Sequence, residues 1–262
     1  MILAAVPADR LPRLRAAGAR RFAFRSALSW AEAMEMIRRE PIEVAVVDPR
    51  LSGELRTREI ERLRILFPSL PMLAYTGLTP DSAGALLTLG RAGVRRAIFH
   101  RFDDAPDALQ RAITAELEQS ASWQVLSVLA PHLDALPASL RRALEAALHD
   151  PWEAPTVSTI AAYARINRRT CERWFERLAL PSPRVVLIAA RLLYAHRLLL
   201  DPGYTIEDVA VKLGFGKVRT LQQHVRDIFG LTAGELRISL SAEEATAIVL
   251  DRFFPDAKQA AS

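Results

Sequence analysis

The sequence predicts an α/β domain built on a parallel sheet, followed by an all-helical domain. Three observations carry this prediction. Short apolar runs alternate with helical patterns through residues 1–120, the sign of strands and helices wound into one parallel sheet covered on both faces. Those runs lack polar–apolar alternation, as expected where both faces of a strand are buried. From residue 156 onward the chain reads as helices joined by short turns, and one pattern occurs there twice.

The strand candidates are MILAAV at the start, VAVV at 44–47, PMLAYT at 71–76 and RRAIFH at 95–100. Between them, LSWAEAMEMIRR (28–39) sets Ala31, Met34 and Ile37 at helical spacing. REIERLRILF (58–67), DSAGALLTLGRAG up to Gly93, and APDALQRAITAELEQ are further helices. A helix around 108–130 would either carry a dimer contact or dock on its own sheet. Residues 121–155 are helical but interrupted by Pro131, Pro137, Pro151 and Pro155, with one helix at 139–149. A last amphipathic helix, roughly 241–254, should end at Pro255 and leave DAKQAAS as a frayed tail. The expected division is 1–120 for the α/β domain, 121–138 for a helical linker, 139–240 for the helical domain and 241–262 for the last helix and tail.

Bulk properties narrow the function. A chain of 262 residues, half apolar and a quarter charged, has room for two globular cores. Cys171 is the only cysteine, so no intrachain disulfide can form. The five histidines have no partners at metal-ligand spacing, and neither metal nor cofactor is expected. No nucleophile–base pair or phosphate-cradling glycine loop is visible, which argues against an enzyme. No apolar run approaches the roughly 18 residues of a membrane span, and no secretion signal opens the chain, so the expected location is the cytoplasm. The net charge is +5, and residues 156–237 hold 13 basic residues against 7 acidic ones. A polyanionic partner suits that segment, although a solvated basic face would look the same.

The repeat sharpens this reading. TVSTIAAYARINRRTCERWFERL returns as TIEDVAVKLGFGKVRTLQQHVRDIF. Ile160 aligns with Val209, Ala161 with Ala210 and Ile166 with Phe215. After one extra residue in the second turn, Cys171 aligns with Leu221 and Phe175 with Val225. Each copy has the form of a helix-turn-helix. Thr205 with Asp208 makes a capping box, Asn167 can cap the other second helix, and Gly214 and Gly216 suit a turn. The first copy should bury Cys171, Trp174, Phe175 and Leu178 and expose Arg168, Arg169, Glu172 and Arg173. The second should bury Val218, Leu221, Val225 and Ile228 and expose Arg219, Thr220, Gln222, Gln223 and Arg226. Arginine matches guanine edges, glutamine matches adenine, and glutamate accepts from cytosine. Cys171 beside Arg168 could be an activated thiol, but its place on the apolar face makes it a core residue. The 18 residues of PRVVLIAARLLYAHRLLL (183–200) join the copies as a helical spacer.

Residues 139–237 resemble the AraC/XylS family of transcription activators. VAVKLGFGKVRTLQQHVRDIFGLTAGELR carries the family's pattern at Ala210, Gly214, Phe215, Phe229, Gly230 and Arg237, and the spacer at Arg191, Ala195, Leu198 and Leu199. The chain departs from it at Leu221 and Val225, where aromatics are usual, at Ala233, where proline is common, and at Leu180 in place of glycine. The resemblance implies a regulator that binds double-stranded DNA, with RNA polymerase as a further partner. By position its base-reading residues fall on Arg169, Glu172 and Arg173, and on Arg219, Thr220, Gln222 and Gln223.

The first 120 residues resemble the receiver domain of two-component response regulators, a flavodoxin-like fold on a five-stranded parallel sheet. Asp48 then takes the phosphoacceptor place and Thr76 that of its hydroxyl partner. His100 stands for the usual lysine and Arg101 for the proline after it. Pro7 and Ala8, with Asp9 beyond, replace the acid pair that holds Mg²⁺. A receiver-like domain without orthodox phosphorylation is expected, serving regulation or homodimerisation, the dimer forming through this domain or the linker helix. Asp48 remains open to three readings: a capping acid, a phosphoacceptor, or a contact for another ligand or partner. Two rivals for the whole chain are a regulator controlled through Asp48 and a protein–protein adaptor that no longer binds DNA.

Overall fold

The computed structural model describes residues 1–18, 21–153 and 155–254. The chain divides into two compact units. One comprises Met1–Ser120 with Asp201–Tyr204, the other Ala121–Leu200 with the residues from Thr205 onward.

The first unit alternates β1 (Ile2–Ala5), α1 (Leu11–Gly18), β2 (Phe24–Ser26), α2 (Trp30–Arg39), β3 (Val44–Val47), α3 (Thr57–Leu66), β4 (Met72–Gly77), α4 (Ser82–Arg91), β5 (Arg96–His100) and α5 (Pro106–Leu117). All strand pairs are parallel and their order is β2-β1-β3-β4-β5. This is the doubly wound order of the flavodoxin-like fold, and the receiver-like architecture rests on it. Every residue of β1 and β3 is buried, which explains the absence of alternation. Ile2, Ala4, Val44, Val46, Leu73 and Tyr75 meet Leu14, Ala17, Leu109 and Ile113 from α1 and α5 in one apolar core. β2 was not among the strand candidates: three residues at the sheet edge, none buried, leave no apolar run to read. Helix α2 begins where the Ser29 side chain accepts from the Glu32 N–H. It buries Trp30, Ala33 and Ile37 while Ala31 is exposed, so its apolar face is turned by about one residue from the expected one. The turn Asp201–Tyr204 belongs to this unit: the Asp201 carboxylate accepts from Ser69 N (2.9 Å) and Oγ (2.5 Å).

The second unit is all helix: α6 (Ala121–Leu129), α7 (Ala138–His149), α8 (Val157–Tyr163), α9 (Arg168–Arg177), α10 (Pro183–Leu199), α11 (Ile206–Lys212), α12 (Val218–Phe229), α13 (Ala233–Ser239) and α14 (Ala242–Phe253). The single helix expected around 108–130 is two helices. α5 stops with Glu118 N–H bonded to Thr114 O, and α6 starts three residues later. Pro255 and the tail lie outside the described residues. Helix α10 buries most of its length, as a central helix must, with Arg184 alone exposed. It packs on α6, α9, α11, α13 and α14. Its Tyr194 hydroxyl donates to the Ser122 and Leu148 carbonyls, tying α6 and α7 to the centre. Reciprocal capping boxes at Thr156/Thr159, Thr205/Asp208, Thr232/Glu235 and Ser241/Glu244 start four of the helices. No described helix is long and apolar enough to cross a membrane.

Candidate nucleic-acid interface

The two copies of the repeat fold into α8–α9 and α11–α12, and burial follows the alignment. Ile160 and Val209 are each fully buried, as are Cys171 and Leu221, and Phe175 and Val225. Ala161 and Ala210 are both 2 % exposed, small where two helices cross. Cys171 is a core residue: burial, with the Glu172 charge, raises its thiol pKa, the opposite of an activated thiolate. Trp174, Leu178, Val218 and Ile228 are only partly buried. Trp174 lies under the Arg177 guanidinium, 4.9 Å from its ring centre.

The turns differ as the extra residue requires. Gly214 (φ 63°) and Gly216 (φ 69°) are both left-handed in the second turn. The first has one such residue, Arg165 (φ 57°), at the position aligned with Gly214. A side chain in that conformation strains the backbone, which glycine would relieve. Asn167 caps α9 by accepting from Thr170 N (2.8 Å), and Thr205 accepts from Asp208 N (3.0 Å) at α11.

The faces of α9 and α12 turned from the core carry the expected residues. Arg168, Arg169 and Arg173 are exposed on α9, and Arg219, Thr220, Gln222 and Gln223 on α12. Glu172 is half-buried and accepts from Arg168 Nε (2.8 Å). Gln223 donates through Nε2 to Asp227 (2.7 Å). Asp227 had no part in the sequence reading, although a one-turn separation from Gln223 was there to be read.

The other candidate is the Asp48 pocket. In a sheet of this order, ligands bind beyond the carboxyl ends of the strands where the order reverses, between β1 and β3. Asp48 sits there, fully buried. Its Oδ1 accepts from Arg50 N (2.8 Å) and Thr76 Oγ1 (3.2 Å), so the structure brings the two predicted residues together. Its Oδ2 forms an ion pair with Arg10, whose Nη1 also donates to Tyr75 O (2.9 Å). Burial lowers the Arg10 pKa, and the Asp9, Tyr75 and Asp104 charges oppose that shift. His100 bonds elsewhere: its Nδ1 lies 2.9 Å from both Tyr75 Oη and Asp104 Oδ2. Burial works to raise the Asp104 pKa, but bonds from Tyr75, the Arg101 backbone and His100, with the Arg13 charge, outweigh it and hold it low. The Tyr75 hydroxyl is pushed up, by burial first and then by its bond to Asp104. Arg10 and Asp104 were not found from sequence. Arg10 lies 38 residues from Asp48, and no local pattern links them. Among the described residues, no group of three or more His, Cys, Asp or Glu is placed to hold a metal ion.

Comparison with known proteins matches residues 160–239 to the helix-turn-helix domain family. The virulence regulon transcriptional activator VirF of Yersinia enterocolitica is 38% identical over 58 residues, 22% of this chain and 21% of that protein. The thermoregulatory protein LcrF of Yersinia pestis matches with the same figures. Residues 160–239 form an AraC-type helix-turn-helix domain. The chain spans about a fifth of the length of these curated relatives. Among solved structures, full-length FixJ from B. japonicum covers 88% of this chain and 97% of its own, at 16% identity and a TM-score of 0.40.

The structure gives physical reasons for the pattern residues of the AraC-type domain. Arg191 of α10 donates through Nη2 to Leu213 O (2.6 Å) and Gly214 O (2.8 Å), satisfying carbonyls at the end of α11, and stacks on Phe215 at 4.6 Å. Arg237 Nε donates to Leu199 O (2.6 Å) at the end of α10. Gly230 is the left-handed cap of α12 (φ 69°). The departures Leu221 and Val225 are fully buried, so aliphatic packing fills the aromatic places. At Ala233 the helix start rests on the Thr232–Glu235 capping box, which needs no proline.

Proposed function

We propose that this chain is a transcription regulator that binds double-stranded DNA in a sequence-specific way through α9 and α12. The observation that carries the reading is the duplicated burial scheme: two helix pairs with matching cores each leave a face of arginine or glutamine in solvent. A second helix of this kind enters the major groove and contacts base edges. In this reading Arg168, Arg169, Glu172 and Arg173 make one half of the interface, and Arg219, Thr220, Gln222 and Gln223 the other. The arginines pair with guanine or phosphate, the glutamines with adenine. The 17 residues of α10 make a rod of about 25 Å. That suits two reading helices roughly one DNA turn, about 34 Å, apart. RNA polymerase is a further partner suggested by the activator relatives.

The receiver-like unit serves regulation or homodimerisation without orthodox phosphorylation. Asp48 Oδ1 accepts two hydrogen bonds, Oδ2 is ion-paired with Arg10, and Pro7 and Ala8 stand where a receiver has its metal-holding acid pair. Phosphoryl transfer needs charge neutralisation at the attacking carboxylate and access for the donor. A buried, arginine-paired Asp48 offers little access.

Binding of the full chain to labelled duplex at two salt concentrations tests the first part. Tight, salt-sensitive binding that falls at least about tenfold in the Arg169→Ala/Arg173→Ala variant supports it. No salt-sensitive binding by the unaltered protein would favour the adaptor reading, and equal binding by both proteins would take the contacts away from Arg169 and Arg173. Incubation with a small phosphodonor and Mg²⁺ tests the second part. No mass increase is expected, whereas an adduct lost in Asp48→Asn would restore the phosphoacceptor reading.

A further inference from the structure

Two hydrogen bonds in the interface pair a proposed base reader with an acid one helical turn toward the C-terminus. On α12 Gln223 Nε2 lies 2.7 Å from Asp227 Oδ1, and on α9 Arg168 Nε lies 2.8 Å from Glu172 Oε1. Surface pairs at this spacing are ordinarily read as helix stabilisers. Here the helix electrostatics argue otherwise. Asp227 sits in the last turn of α12, where the negative end of the helix dipole disfavours an acid. Arg168 is the first residue of α9, where the positive end disfavours a cation. For the Arg168–Glu172 ion pair the order base-then-acid is also the weaker of the two. The ion pair is thus poorly placed to stabilise α9, Asp227 sits at the unfavourable end of α12, and each acid adds a negative charge beside a surface proposed to meet phosphates.

We propose that Asp227 and Glu172 are positioning residues that fix the side-chain orientation of the base readers Gln223 and Arg168. This rests on the DNA-binding reading above. A carboxylate only accepts, so the amide group facing Asp227 is the NH₂. One of its hydrogens is used there. The other, with Oε1, remains as the donor–acceptor pair that adenine N7 and N6 require. In the same way Glu172 takes the Arg168 Nε–H and leaves the terminal nitrogens for guanine O6 and N7. Glu172 then acts through Arg168 and is not itself a cytosine reader. A held side chain gives up less rotamer freedom on binding, and the gain falls on the matched base alone.

The test uses the full chain and the duplex it enriches most from a random library, with every base pair of that duplex varied in turn. Gln223→Ala should flatten the preference at one base pair about tenfold. Asp227→Ala should flatten the same base pair about threefold or more, while binding to an unrelated duplex strengthens because a negative charge is gone. Asp227→Asn removes that charge but keeps an acceptor oxygen, so it should hold the preference within about twofold of the unaltered protein. The Gln223→Ala/Asp227→Ala double variant should be no flatter than Gln223→Ala alone. Arg168→Ala, Glu172→Ala and Glu172→Gln should follow the same pattern at a second base pair. If Gln223→Ala flattens its base pair and Asp227→Ala does not, positioning is overturned while the reader stands. If Gln223→Ala changes no preference, the reader assignment falls and positioning with it. If Asp227→Asn flattens the base pair as much as Asp227→Ala, charge and not orientation is at work, and the proposal is overturned. The substituted side chains are exposed, apart from the half-buried Glu172, and matching thermal unfolding would show that each variant is folded.

Discussion

The receiver-like unit and the AraC-type domain each keep the frame of their class, but they treat their sites differently. In the first, the sheet order places Asp48 where a receiver's chemistry would lie, and then closes that place with Arg10. In the second, the buried positions of two repeats match while the outward positions stay open and differ: arginine-rich on α9, glutamine and threonine on α12. Frame and site are thus set by separate residues. Core positions fix the fold, and a handful of polar side chains at strand or helix ends decide whether a site stays available.

The largest effects should come from the closed pocket. Arg10→Ala leaves the Asp48 carboxylate buried without its cation, and stability should fall by about 3–5 kcal/mol in denaturant unfolding. Replacing both, Arg10→Met with Asp48→Leu, should recover most of that loss with DNA binding intact. A double variant that folds but cannot bind DNA would break the contrast, because the pocket would then carry function. Next come the open faces. Arg169→Ala and Arg173→Ala should each cost about 1–3 kcal/mol of binding and leave stability unchanged.

A smaller effect separates the two regions by pH. Asp104 in the first unit has a lowered pKa, so the unfolded chain takes up its proton first as pH falls. Its contribution is complete above the ordinary 3.8 and is lost only below it. Burial chiefly lowers the His196 pKa in the second unit, where Nε2 lies 3.1 Å from Leu240 O. The unfolded chain protonates it near 6.5 while the folded one does not, so its contribution fades from that pH downward. Acid titration followed by hydrogen exchange should find the second unit loosening first. The smallest effect is at the first turn: Arg165→Gly should raise thermal stability by less than about 1 kcal/mol, since relief of the left-handed strain is partly offset by glycine's freedom when unfolded. Gly214→Ala, at the aligned position of the second turn, should lower it by a similar amount.

What the sequence revealed follows the same division. Core strands and long helices were readable because burial writes a dense or periodic apolar pattern, as in Val44–Val47 or Pro183–Leu199. The short edge strand Phe24–Ser26 writes none, and the break between α5 and α6 lies in polar residues without proline or glycine. The outward residues of α9 and α12 were legible because two copies could be aligned and their cores subtracted. The Asp48 pocket was half legible. The resemblance to receiver domains put Asp48 and Thr76 in matching places and implied an acid pair where Pro7 and Ala8 stand. Arg10 was not, because its partner is fixed by the parallel pairing of β1 with β3 and by nothing near it in the chain.

The most direct test of the central claim is selection of a random duplex library on the full chain at low and moderate salt. The account predicts enrichment of one motif with two contact blocks about a helical turn apart, persisting at the higher salt. Binding without enrichment, vanishing at moderate salt, would leave only backbone attraction and contradict it.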